Sequence, residues 1–179
     1  IALKLARPGG RMAPCKPITG ETMDIFRTDA KAEGDDVVVA GWECRGGTLP
    51  VNARWFAIRL TPTNSPWMYC RGEPYRVIAA LELFATLFGV LAFMSDDTRG
   101  DGSAAITGSA STDNKGNAYA AARLMTTKFP LNAFVMELSE QLEARHSWLK
   151  LDWVPRHQNE EADALTNGQY GGFSRRAAY

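Results

Sequence analysis

The reading of this chain turns on Trp153-Val154-Pro155-Arg156-His157-Gln158-Asn159-Glu160-Glu161-Ala162-Asp163-Ala164-Leu165. Just upstream, Leu149, Leu151 and Trp153 alternate with Lys150 and Asp152, which predicts a strand over 148–154. Pro155 closes it. Asn159 stands where a helix N-cap is expected, and Glu160 and Glu161 in the first turn suit the helix dipole. Asp163 then falls near the start of a last helix, where dipole compensation alone would account for an acid. Three other acids give it significance. Asp29 ends the strand-like run Phe26-Arg27-Thr28-Asp29-Ala30, Glu82 is alone in the apolar run 77–94, and Asp113 follows Ser111-Thr112 where small residues give way to a helical pattern. Carboxylates on separate elements suit a hard divalent cation such as Mg²⁺, which binds oxygen and takes few protein ligands.

Outward from these residues, the pattern divides the chain into an arm or interdomain tether at 1–23, a domain at 24–167 and a frayed tail at 168–179. Pro8, Pro14 and Pro17 with Gly9, Gly10 and Gly20 punctuate the arm. Strands are predicted at 23–28, 37–42 and 54–61, the first two joined by a Gly34-Asp35-Asp36 turn. Pro62, Pro66 and Pro74 argue against regular structure from 62 to 74. A helix at 75–93 follows, apolar nearly all round and therefore buried. Next come a loop at 95–103, a small-residue strand at 104–112, and helices at 117–126 and 130–145, the latter with Phe134, Leu138 and Leu142 on one stripe. The order β-β-β-α-β-α-α-β-α predicts an α/β fold with a mixed five-stranded sheet and helices on both faces.

A chain of 179 residues with 45% hydrophobic and 22% charged residues can bury a core. The formal net charge of zero removes any long-range basic field, so a nucleic-acid site must be local. Cys15, Cys44 and Cys70 are odd in number and widely spaced, which fits reduced thiols of an intracellular protein better than a disulfide framework or a zinc site. The run 77–94 nears bilayer-spanning length, but Glu82 with Thr86 and Gly89 favours a core helix over a membrane segment.

The four acids in this order resemble those of the ribonuclease H domain attached to retroelement reverse transcriptases, over roughly residues 24–167. Thr28-Asp29-Ala30 before a turn and a glycine-bearing strand, Leu81-Glu82-Leu83, and Thr112-Asp113-Asn114 match its first three motifs. Pro155-x-x-x-Asn159-x-x-Ala162-Asp163-Ala164-Leu165 is similar to its last, most specific one. The resemblance implies a ribonuclease H-like fold and hydrolysis of the RNA strand of an RNA·DNA hybrid, leaving 3′-hydroxyl and 5′-phosphate ends. It also implies a polymerase domain of the same polyprotein as partner. Two Mg²⁺ ions, with Mn²⁺ as substitute, would be held by Asp29, Glu82, Asp113 and Asp163. Two ions can clamp the attacking and leaving oxygens of a phosphodiester displacement. By position Asp29 is the bridging candidate, Glu82 and Asp113 complete one site, and Asp163 the other. Cellular relatives carry a histidine about ten residues before the last aspartate; His157 is six before Asp163, so the short loop should leave it exposed at the rim.

Bland readings compete at each position. Asp113 could serve as an N-cap, and Asp24, Asp35 and Asp36 rival Asp29. His157 and Asn159 are accessory candidates only, the second more simply a cap. Lys31, Lys115 and Arg123 are guesses for backbone contacts. Asp96, Asp97 and Asp101 are most simply solvated. The tryptophans read as core, with Trp67 left open as a contact surface. Two other functions remain: an inactive connector or docking module of the same fold, or a related exonuclease or strand transferase.

Overall fold

In a computed structural model, described for residues 23–94, 106–174 and 178, the chain forms one mixed five-stranded sheet with helices on both faces. The strands are β1 (Phe26–Glu33), β2 (Asp36–Glu43), β3 (Trp55–Leu60), β4 (Ile106–Thr112) and β5 (Ser147–Trp153). The helices are α1 (Ile78–Phe93), α2 (Lys115–Arg123), α3 (Leu131–Ala144) and α4 (Glu160–Thr166). Spatial order is β3-β2-β1-β4-β5, with the first three antiparallel and β4 and β5 parallel to β1. The expected arm, the loop 95–103 with Asp96, Asp97 and Asp101, and Cys15 lie outside the described residues.

The β1–β2 hairpin pairs Glu33 with Asp36 across a two-residue turn. Gly34 there has φ +57°, the conformation glycine adopts without steric penalty. Alternation along β1 decides the layers. Phe26 and Ala30 face α1, and Asp29 faces the other side, opposite Ala40. Helices α1, α2 and α3 cover the first face. Helix α4 covers β1, β2 and β3 on the second, burying Ala162 and Leu165 against Ala40 and Trp42.

By length and composition alone, Pro74–Phe93 could cross a membrane. Here it is the core helix: Leu81, Leu83, Ala85, Val90 and Phe93 are buried, and Gly89 lets α1 approach β1. A Cβ at Gly89 would lie 2.5 Å from the Phe26 ring.

Several expectations are corrected. The proline-rich stretch holds short 3₁₀ turns at Pro66–Tyr69 and Pro74–Val77, because proline suits the first position of a helical turn. Trp67 is not a free surface: its ring meets Phe134 at 4.7 Å and Phe84 at 5.5 Å. Trp148 and Trp153, expected in the core, are 47% and 42% exposed: Trp148 falls on the Lys150–Asp152 face of β5, opposite the buried Leu149 and Leu151, and Trp153 is the strand's last residue. The expected frayed tail is packed as far as Ser174. Phe173 is buried against Trp42 and Trp55, Tyr170 stacks on Trp55 at 5.1 Å, and Trp55 Nε1 donates to the Ser174 carbonyl at 2.8 Å. Arg175 and Arg176 lie outside the described residues.

Candidate active site

Strand β1 runs parallel to β4 only as far as Arg27↔Ser111. Beyond that register the chain leaves β1 toward β2 and leaves β4 toward α2 and β5, so the two C-terminal ends open a crevice. Such divergence points are where open α/β sheets place ligands. Asp29 is corrected in one respect: it is the fourth residue of an eight-residue strand rather than its end. It lies just past the β4 pairing, and so reaches the crevice from mid-strand.

The four predicted acids are linked there by their charges. Asp113 follows the last residue of β4, and Asp163 lies in the first turn of α4. Asp29 is 8% exposed; burial first, then the charges of Asp113 and Asp163, pushes its carboxyl up to about 6, against opposing hydrogen bonds from Ala30 and Thr166. Glu82 reaches the crevice from α1. Burial pushes it up to about 8; hydrogen bonding from Asn114 opposes this, and the charges of Asp113 and Asp29 add to it. Two carboxyls held this far above their ordinary range mark a place short of positive charge.

The set is braced by residues that the sequence reading passed over. Asn117, fully buried, donates from Nδ2 to Glu82 Oε2 at 3.1 Å and to the Ala79 carbonyl at 2.9 Å. Thr166 Oγ1 lies 3.2 Å from Asp29 Oδ2 and 2.9 Å from the Asp163 carbonyl, so its one hydrogen serves either. Arg156 donates to Asp163 Oδ1 at 2.6 Å and feels the charges of Asp29 and Asp113. Asn167 donates to Asp163 Oδ2 at 3.1 Å. A shallow cleft of about 180 Å³ is lined by Asp29, Lys31, Arg156, Asp163, Thr166 and neighbouring residues. The i, i+3 spacing of Asp163 and Thr166 on one helix was the available signal for Thr166; Asn117 and Arg156 needed the tertiary fold.

Other assignments change. Asn114, not Asp113, caps α2, its Oδ1 accepting from the Gly116 and Asn117 amides, so Asp113 is free of that duty. Asn159 precedes α4 but makes no side-chain cap; it is buried and donates from Nδ2 to the Thr28 carbonyl at 3.1 Å. With Arg27 donating to the Gln158 carbonyl, it pins the 156–158 turn onto β1. His157 in that turn is exposed, as the short loop predicts. Of the rivals to Asp29, Asp24 is engaged by Arg27, Ser109 and Ser111, Asp35 by Tyr69, and Asp36 by Arg59 and Lys31. Lys31 also pairs with Glu33 at 3.2 Å, so it is not a free cation for substrate. Lys115 lies over Trp153 beside Asp113, whereas Arg123 is at the far end of α2, about 12 Å along the helix. Cys44 and Cys70 are free thiols, and burial pushes Cys44 up to about 12.

The donor set fits the expected ions chemically, being all carboxylate oxygen. Among the described residues no group of three or more His, Cys, Asp or Glu is close enough as it stands to enclose an ion. The four acids are coupled electrostatically rather than closed around a point.

No protein-family pattern matches the chain, and no curated protein does. Solved structures do. Ribonuclease H1 from the halophilic archaeon Halobacterium salinarum is similar at TM-score 0.53 and 21% identity, over 82% of this chain and 96% of that one. A ribonuclease H1 designated LC11, in complex with an RNA/DNA hybrid, is similar at TM-score 0.52 and 18% identity, over 82% and 95%. The N-terminal ribonuclease H domain of a Mycobacterium tuberculosis protein, fused to maltose-binding protein, is similar at TM-score 0.50 and 18% identity, over 82% and 91%. The chain has the ribonuclease H-like fold.

Proposed function

We propose that this domain is a metal-dependent ribonuclease H that hydrolyses the RNA strand of RNA·DNA hybrids. The observation that carries the reading is the charge coupling of Asp29 to Asp113 and Asp163, and of Glu82 to Asp113 and Asp29, where β1 and β4 diverge, with the Asp29 and Glu82 carboxyls driven up by burial and mutual charge. The hybrid held by one of the similar structures is consistent with that substrate.

Asp29, Glu82, Asp113 and Asp163 would hold two Mg²⁺ ions, which when bound supply water activation and neutralise charge on the phosphoryl oxygens. The chain's own residues do the rest. Thr166 and the Ala30 amide orient the Asp29 carboxylate, Asn117 and Asn114 orient Glu82, and the pinned turn holds Arg156 against Asp163. Both Asp29 and Glu82 must lose their protons before they can take a cation, so metal affinity rises with pH through about 6 and about 8.

The Pro155…Asn159-x-x-Ala162-Asp163-Ala164-Leu165 ending supports a retroelement origin, with a polymerase domain of the same polyprotein as partner and an intracellular setting. A labelled hybrid incubated with Mg²⁺, with Mn²⁺ and with EDTA tests the activity. RNA-strand cleavage that EDTA abolishes is expected. A folded chain that binds the hybrid and leaves it intact would instead be a docking module.

A further inference from the structure

The second face of the sheet is covered over one half only. Ala110, Leu149 and Leu151 pack into the core with residues of α1, α2 and α3. By alternation Ser109, Ser111, Trp148, Lys150 and Asp152 therefore turn to the opposite face. The helix on that face, α4, lies over β1, β2 and β3. Strands β4 and β5 are parallel to each other and to β1, and parallel strands are ordinarily covered on both faces. Here Thr107 and Lys150 are exposed, and the Trp148 indole, in register with Thr107, is 47% exposed. It offers a flat apolar platform beside the Lys150–Asp152 ion pair.

The chain enters the fold at this same half-face. Ser109 Oγ and Ser111 Oγ donate to the Asp24 carboxylate at 3.3 and 2.8 Å, which anchors the approach to β1 over β4. Shortly before Asp24 the sequence reads Pro14-Cys15-Lys16-Pro17. Prolines three apart share one edge of a polyproline II helix, which has three residues per turn, and such edges dock on exposed aromatic rings. Trp148 is one strand across from Thr107, two residues before Ser109, so it lies roughly 8 Å from the Asp24 anchor. Residues 18–23 can span about 20 Å, which leaves the prolines ample reach. We propose that Pro14 and Pro17 of this chain dock on the open half of the sheet, with their rings against Trp148. The contact covers the exposed β4–β5 face and directs residues 1–13 away from the side that carries α1, α2 and α3. It rests on β4, β5 and the entry to β1, and is independent of the hybrid reading of the acids.

Cys15, between the two prolines, serves as the probe in the full chain carrying Cys70→Ser. Mild oxidation should join it to the thiol introduced by Lys150→Cys several-fold more than to one introduced by Met136→Cys, on the exposed side of α3 across the sheet. Non-reducing gels and peptide mass mapping read the yield, and Trp148→Ala should reduce it to the Met136→Cys level. Thermal unfolding supplies a second measurement. Pro14→Ala with Pro17→Ala should lower the melting temperature by about 2–4 °C, the shift of a contact of ordinary strength at this chain length. The same pair should have no effect once Trp148→Ala is in place. Equal yields at the two positions, a yield indifferent to Trp148→Ala, or additive melting shifts would overturn the proposal. A disulfide joining two chains would also overturn it, because the face would then hold a second copy's segment.

Discussion

Asp29 and Glu82 show how burial and like charge act on one residue type at two sites. Each holds its proton more tightly folded than unfolded. The stability that this contributes to the metal-free chain is fully present below the ordinary carboxylate range. It is lost as pH rises through about 6 for Asp29 and about 8 for Glu82. Glu82→Gln keeps an acceptor for Asn117 and removes the titration. Its melting temperature should therefore exceed that of the unmodified chain at pH 8 and approach it near pH 5, each kcal/mol being about 2–4 °C at this chain length. Thermal unfolding at both pH values in EDTA measures the gap, and a pH-independent gap would refute the assignment. His157 makes the opposite case. Exposed in its turn, it should lose about tenfold or less in hybrid cleavage on substitution by alanine, below the usual range for a general acid or base. Asp163→Asn should abolish cleavage. Equal loss in the two variants would mean that the turn folds over the site.

At the scale of elements, the site depends on how closely α1 and α4 sit on the two faces of β1. Thr28 Oγ1 lies 3.3 Å from Thr86 Oγ1 on one face, and Asn159 ties α4's start to the Thr28 carbonyl. Gly89→Ala would press a methyl into the Phe26 ring and force α1 outward, at a cost of about 1–3 kcal/mol. Because α1 carries Glu82, hybrid cleavage should fall together with stability. Denaturant unfolding alongside a cleavage assay checks both; unchanged stability would show that the helix has room to shift.

At the scale of the whole molecule, the segment after α4 closes the second layer. Phe173 fills the space over Trp42 and Trp55 beside Ala162 and Leu165, so Phe173→Ala should cost about 3 kcal/mol. Truncation after Gly168 should cost at least as much, since it also removes the Tyr170 ring from Trp55. Urea melts of the two variants decide this, and a truncation without effect would show that the tail is dispensable to the core. Net charge acts at the same scale. A formal charge of zero gives no global attraction for nucleic acid, so whatever salt dependence binding shows must come from local groups such as Lys115 and Arg123.

Element order, the buried character of α1 and the four candidate acids were legible along the chain because each is a local property: a hydrophobic period, a turn residue, a short motif. Leu149 and Leu151 announce a strand through alternation, and Glu82 is conspicuous by its apolar neighbours. What lay beyond that reading is whatever depends on two distant segments meeting. Asp29 became a crevice residue only because β4 stops pairing at Ser111, 82 positions further along the chain than Asp29. Asn159 looked like a cap and is instead a buried tie to Thr28, 131 positions away. Trp148 and Trp153 were expected in the core, yet stand exposed, Trp148 on the face of β5 opposite the buried Leu149 and Leu151 and Trp153 at the strand's end. Local pattern specifies which backbone conformation and which face a residue prefers; only tertiary packing decides what covers that face, and so which carboxylates share one crevice.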